Sequence, residues 1–209
     1  ASIWPRMNPW GPAKVHAHFA ALSGSGQIAS RFAVEGLAWW LARQNPRRLC
    51  DVGAGIGTLT AIAAFWSQAE IVAVEDEPWC QAQARQNLRG PILWYDKIPS
   101  GYMTFDFVIL DGPQVRPGDW ACLERRAAVF VEGGRRGQRA ELETALRGNR
   151  PFCRASWKPA ADRSKGYHMY LLEPTRWERT WFACVRLREG WRDLRARLRG
   201  VIVGKRRCT

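Results

Sequence analysis

A chain of 209 residues that is 46% hydrophobic is long enough to bury a full core and sits near the upper end of single-domain size. It has no apolar run approaching the ~18 residues of a membrane-spanning helix, which sets such a span aside. The formal net charge of +13 directs attention to an anionic partner, and the six cysteines form no Cys-x-x-Cys pair, so reduced thiols are expected and a zinc site is not.

The first segment, 1–30, is rich in Trp, Pro, Gly and Ser and reads as a cap, with a helix expected from Ile28 to Arg43. It carries His16 and His18. A histidine is the usual general base for a hydroxyl nucleophile, so His18 is a catalytic candidate, against the alternative of two surface histidines in a loop. Leu49 to Thr60 then reads as a short strand ending at Asp51, a turn with Gly53, Gly55 and Gly57, and the start of a helix. Alternating glycines let a backbone reverse sharply and approach a ligand closely. A pyrophosphate-binding fingerprint wants its third glycine at position 58, which is Thr58.

Further short apolar runs at Ile71–Val74, Pro91–Trp94, Phe105–Leu110 and Ala127–Val131 predict parallel strands two to five, separated by helical stretches at Pro78 to Leu88 and Gly137 to Leu146. Asp76 or Glu77 supplies the cap charge of the first of these helices. An acid follows each strand, namely Asp51, Glu75, Asp96, Asp111 and Glu132. Open α/β sheets bind ligands beyond those ends. Glu75 stands 24 positions after Asp51, near the interval at which an acid accepts ribose hydroxyls. Tyr95 and Asp96 offer an aromatic surface and an acceptor for an adenine amino group.

Beyond Phe152 to Lys158 and Tyr167 to Leu172, Thr175 and Glu178 form a capping box. Trp177, Trp181, Cys184, Val185, Trp191, Leu194 and Leu198 then recur at helical spacing, predicting an amphipathic helix within a basic tail, 174–209. Residues 176–209 hold 11 Lys or Arg against 3 Asp or Glu, a surplus of 8 within the total of +13. RNA, acidic lipid headgroups or an acidic substrate would suit that charge, and an Arg-solvated helix packing its Trp stripe on the core is the alternative.

The run Asp51-Val52-Gly53-Ala54-Gly55-Ile56-Gly57-Thr58 resembles motif I of the class I S-adenosylmethionine-dependent methyltransferases, and Ile71 to Glu75 is similar to their second motif. The resemblance covers roughly 31–172. It implies an α/β, doubly wound, seven-stranded, mostly parallel Rossmann-like sheet over 31–173, closed by an antiparallel C-terminal hairpin and followed by the basic C-terminal helix. It implies S-adenosylmethionine as cofactor, held by Asp51, Gly53, Ala54, Gly55, Gly57, Thr58, Glu75, Asp76, Tyr95 and Asp96.

Chemistry is expected after strand four, with Asp111 orienting the acceptor or taking its proton. Asp111-Gly112-Pro113 departs from the Asn/Asp-Pro-Pro-aromatic pattern of amino-directed members and resembles small-molecule and sugar O-methyltransferases. Glu132-Gly133 stands where metal-dependent members carry Asp-Asn, so no catalytic metal is expected. The leading expectation is metal-free O-methylation of a small molecule or sugar in the cytoplasm. An RNA methyltransferase using the basic tail, and a catalytically idle cofactor-binding partner subunit, stay open beside it.

Overall fold

The computed structural model describes residues 11–99, 103–112, 117–133, 136–147, 150–159 and 166–188. Seven strands form one sheet: β1 (Arg48–Val52), β2 (Glu70–Val74), β3 (Ile92–Tyr95), β4 (Phe105–Leu110), β5 (Leu123–Glu132), β6 (Phe152–Trp157) and β7 (Tyr167–Leu172), in the order β3-β2-β1-β4-β5-β7-β6. β3, β2, β1, β4 and β5 run parallel, while β7 is antiparallel to both β5 and β6. This is the expected doubly wound sheet with its closing hairpin. The strand order reverses between β1 and β4, and there the two carboxyl ends open a crevice.

Buried parallel strands need apolar residues on both faces, and neighbouring strand positions divide accordingly. Leu49, Phe107, Ile109, Phe130 and Met169 face helices α1 (Pro12–Ala20), α2 (Arg31–Gln44) and α3 (Thr58–Trp66). Cys50, Val108, Val129, Val131 and Tyr170 face α5 (Arg136–Arg147), which contributes Leu142 and Leu146. α4 (Pro78–Asn87) follows β2, its N-cap being Glu77, whose carboxylate accepts the Cys80 amide at 2.6 Å.

Three features depart from the sequence reading. The N-terminal segment contains α1, started by Pro12 at its first turn and held by the buried pair Val15 and Phe19, one helical turn apart. β5 begins at Leu123 rather than Ala127, because the polar run Glu124-Arg125-Arg126 continues the strand across a register shift opposite Phe105 and Phe107. Arg150 fixes that start by donating to the Leu123 and Glu124 carbonyls, both at 2.9 Å.

The third departure lies in the helix over 176–188, here α6, whose capping box forms as expected: the Thr175 amide reaches Glu178 at 2.6 Å and the Glu178 amide reaches the Thr175 hydroxyl at 3.2 Å. Its inward residue is Phe182, with Trp181 and Val185 at its margin, whereas Trp177 is 70% exposed and Cys184 points outward. Trp191, Leu194 and Leu198, and most of the basic tail, lie outside the described residues. Both α1 and α6 bury side chains in the core cluster on the α2 face.

Candidate functional site

The site grows from the way β1 and β4 end. Val74 at the tip of β2 accepts the amides of Gly53 (2.9 Å) and Ala54 (3.1 Å), which turns the chain leaving β1 across the neighbouring strand. Val52 at the tip of β1 accepts the amides of Asp111 and Gly112, both at 3.0 Å, which draws the β4 exit beside the same turn. Gly53 has φ 82°, and a Cβ there would lie 2.0 Å from the Gly112 Cα, so the two loops meet backbone to backbone. Gly55 has φ 55° and faces open space: a Cβ there would meet nothing within 4 Å. Gly57 plays another part, since a Cβ there would press on Leu88, and its absence lets α3 and α4 close together.

Glu75, just past β2, binds this loop. Its carboxylate accepts the Gly55 amide at 2.6 Å and the Glu77 amide at 3.0 Å. Glu77 is the helix cap, and the Cys80 amide holds its carboxyl below the ordinary value, which leaves Asp76 free of the capping role considered for it.

A cavity of about 660 Å³ opens above these turns. Gly53, Ala54, Gly55, Ile56, Thr58 and Leu59 line one side, and Glu75, Asp76, Glu77 and Cys80 another. Asp111 and Gly112 lie at the β4 end, and Gly24, Gly26, Gln27, Ile28 and Ala29 come from the connection between α1 and α2. Four of these lining residues carry carboxylates, and no described lining residue is Lys, Arg or His. A strongly basic chain thus has an acidic pocket. The Thr58 hydroxyl, in the first turn of α3, is buried and has no hydrogen-bond partner.

Of the ten residues expected around a cofactor, Gly53, Ala54, Gly55, Thr58, Glu75 and Asp76 line the cavity. Asp51 lies behind the loop, wholly buried, with one carboxylate oxygen accepting from Thr60 Oγ1 at 2.6 Å and the other unpartnered; burial pushes its carboxyl up to about 7. Tyr95 packs, half buried, against the cluster on the α5 face, and Asp96 is exposed; neither is among the lining residues. The five strand-end acids therefore separate: Glu75 and Asp111 reach the cavity, while Glu132 accepts the Ser30 amide at 3.2 Å and anchors the start of α2.

The histidines stand apart from the cavity lining. His18 is exposed on α1, edge-on to the Phe19 ring. His16 is half buried and bonded to the Ala29 backbone; burial and then Arg31 keep its pKa below the ordinary value. His168 is buried on β7 with Ser156 Oγ at 2.6 Å from its Nδ1, and burial, reinforced by Arg139, Arg154 and Lys158, pushes it down to about 3. It is a neutral packing group at physiological pH. Sequence reasoning did not single out the wall at 24–29 or Cys80, whose thiol burial pushes up to about 11. The wall does lie within the segment 1–30 read as a cap, where Gly24 and Gly26 hinted at a turn.

No family model and no curated protein matches the sequence. Solved structures do match the fold. An O-methyltransferase from Bacillus cereus in complex with SAH aligns at TM-score 0.61 and 15% identity, over 80% of this chain and 93% of that one. The O-methyltransferase TomG from Streptomyces achromogenes in complex with SAM aligns at 0.55 and 16%, over 78% of this chain and 88% of that one. The N-methyltransferase NodS from Bradyrhizobium japonicum, in complex with S-adenosylhomocysteine, aligns at 0.54 and 11%, over 78% and 99%. The chain shares the fold of these methyltransferases.

Proposed function

We propose that this chain is an S-adenosylmethionine-dependent methyltransferase that methylates a hydroxyl of a small molecule or sugar without a metal. The observation that carries the reading is the glycine-floored cavity walled by Glu75, Asp76, Glu77 and Asp111 with no described basic residue in its lining. A pyrophosphate would be repelled there, whereas a ligand carrying a sulfonium and an ammonium is attracted. The open space beside Gly55 and the unpartnered Thr58 hydroxyl fit a polar ligand seated on the loop. The neighbours with SAM or SAH bound support the same cofactor.

In this reading Gly53, Ala54 and Gly55 cradle the amino-acid end, Thr58 offers its hydroxyl, and Glu75 accepts the ribose hydroxyls. S-adenosylmethionine supplies an electrophilic methyl group. Asp111, beside Gly112 at the β4 end of the cavity, orients the acceptor hydroxyl or takes its proton, and alignment with exclusion of water does the rest. The free thiols of Cys80, Cys153 and Cys184 favour a reducing, cytoplasmic setting. The arginine surplus over 176–209 favours a further, anionic partner, RNA or another acidic surface.

Titration calorimetry with S-adenosylhomocysteine tests the reading. Binding is expected, and Glu75→Ala should weaken it by about 1.5–3 kcal/mol through lost charge-assisted hydrogen bonds. Absent binding, or preferential binding of a nicotinamide dinucleotide, overturns the reading. Unchanged affinity in Glu75→Ala overturns the role given to that residue alone.

A further inference from the structure

α6 has two apolar sides, and among the described residues only one of them is packed. Phe182 is fully buried, and Trp181 lies 5.7 Å from Trp40 and 6.2 Å from Trp157 between ring centroids, so these residues hold the helix to α2 and β6. The outward side carries Trp177 at 70% exposure and Leu187 at 66%, with Cys184 exposed between them. Arg176, Arg179, Arg186 and Arg188 flank them and are exposed too. Beside α6, Trp39 of α2 is 48% exposed and stacks on Trp181 at 6.0 Å, while the Arg43 guanidinium sits 5.6 and 5.5 Å from the two rings.

The sequence repeats this spacing beyond α6. From Trp177, Cys184 and Leu187 the spacing of three and four runs on through Trp191, Leu194 and Leu198, interleaved with Arg192, Arg195, Arg197 and Arg199. Core packing by Phe182 accounts for one side of α6 and leaves Trp177, Cys184 and Leu187 exposed on the other.

We propose that the outer face of α6, with Trp39 and Arg43, seats the protein on an anionic lipid surface, lying in the interface without crossing it. Indoles settle at the level of the headgroups, leucines enter the acyl boundary, and guanidiniums bind phosphates and carboxylates of the headgroups. A nucleic acid would use the arginines and could stack on Trp177, but it offers no apolar phase for the exposed Leu187. A second copy of the helix would bring arginines of like charge together along the seam. The inference does not depend on which cofactor the cavity holds.

Cosedimentation of the full chain with sucrose-loaded vesicles provides the test. The chain should pellet with phosphatidylcholine vesicles containing about 30% phosphatidylserine, remain in solution with phosphatidylcholine alone, and release as salt rises. The double variant Trp177→Ala, Leu187→Ala should lower the partition coefficient about tenfold or more, with its melting temperature retained as proof of folding. Failure to pellet with the anionic vesicles overturns the proposal. So does equal partitioning of the double variant, salt-sensitive binding of an RNA oligonucleotide in place of vesicles, or a dimer that the double variant dissolves.

Discussion

Gly53 and Gly55 sit two positions apart in one turn, yet alanine should fail at them for different reasons. Both have left-handed backbones, with φ 82° and 55°, where an L side chain costs about 1–2 kcal/mol. At Gly55 that is most of the effect, because the new methyl group would enter open cavity space. At Gly53 the methyl group would stand 2.0 and 2.1 Å from the Cα and N of Gly112, which are backbone atoms that no rotamer change can move.

The strand-one and strand-four turns must then part, loosening the two amide bonds to the Val52 carbonyl at about 0.5–1.5 kcal/mol each. The sum for Gly53→Ala is about 2–5 kcal/mol, and at about 2–4 °C per kcal/mol the melting temperature should fall by roughly 10 °C. Gly55→Ala should lose about 5 °C and weaken S-adenosylhomocysteine about tenfold or more, as its methyl group takes ligand space. Scanning calorimetry and a ligand titration on both variants provide the readout. A Gly53→Ala protein melting within about 2 °C of the unmodified chain, or a Gly55→Ala protein that melts lower than Gly53→Ala with full affinity, refutes the reasoning.

Asp111→Asn keeps the shape and removes the charge; transfer of a labelled methyl group to phenolic and sugar acceptors should fall while ligand affinity and melting temperature hold, and near-normal transfer would reject its proposed role. Exhaustive chelation should leave that transfer intact, and loss of activity restored by magnesium would show the reading of Glu132-Gly133 to be mistaken. Asp51 is a pH reporter: its folded pKa is raised from 3.8 to about 7, so between those values the folded state holds a proton that the unfolded state has released. Stability should therefore decline with rising pH across that window, by at most about 1.4 kcal/mol per pH unit, and level off above it. Urea midpoints at several pH values should show this contribution in the unmodified chain and its loss in Asp51→Asn; identical pH slopes in the two would contradict the burial argument.

Much of this architecture was legible because its causes are local. Short apolar runs flanked by turn residues marked the parallel strands, and the Thr175 and Glu178 box foretold the start of α6 to the residue. The position of Glu75 at the cavity was legible from its 24-position interval after Asp51. What escaped depends on packing across the chain. Phe182 faces inward, rather than Trp177, because Trp40 and Trp157 wait on the neighbouring elements, and helical spacing alone allows either side. β5 extends through two arginines because its partner strand and Arg150 hold it. The cavity wall at 24–29 carries no chemical signature, and Asp96, at a strand end like Glu75, is exposed away from the cavity lining.

The meeting of Gly53 with Gly112 also orders events in time. The two residues are 59 positions apart in the chain, and their contact forms only when β4 slots against β1. A nascent chain that has emerged through α4 already holds the glycine turn, Thr58 and Glu75, but it has no β4 exit against which the turn can rest. Local helices close in microseconds or less, whereas parallel pairing must wait for distant segments to meet. The proposed ligand site is thus complete only once the sheet's central non-local pair has formed, so binding of S-adenosylhomocysteine, if found, would report late assembly rather than the motif alone.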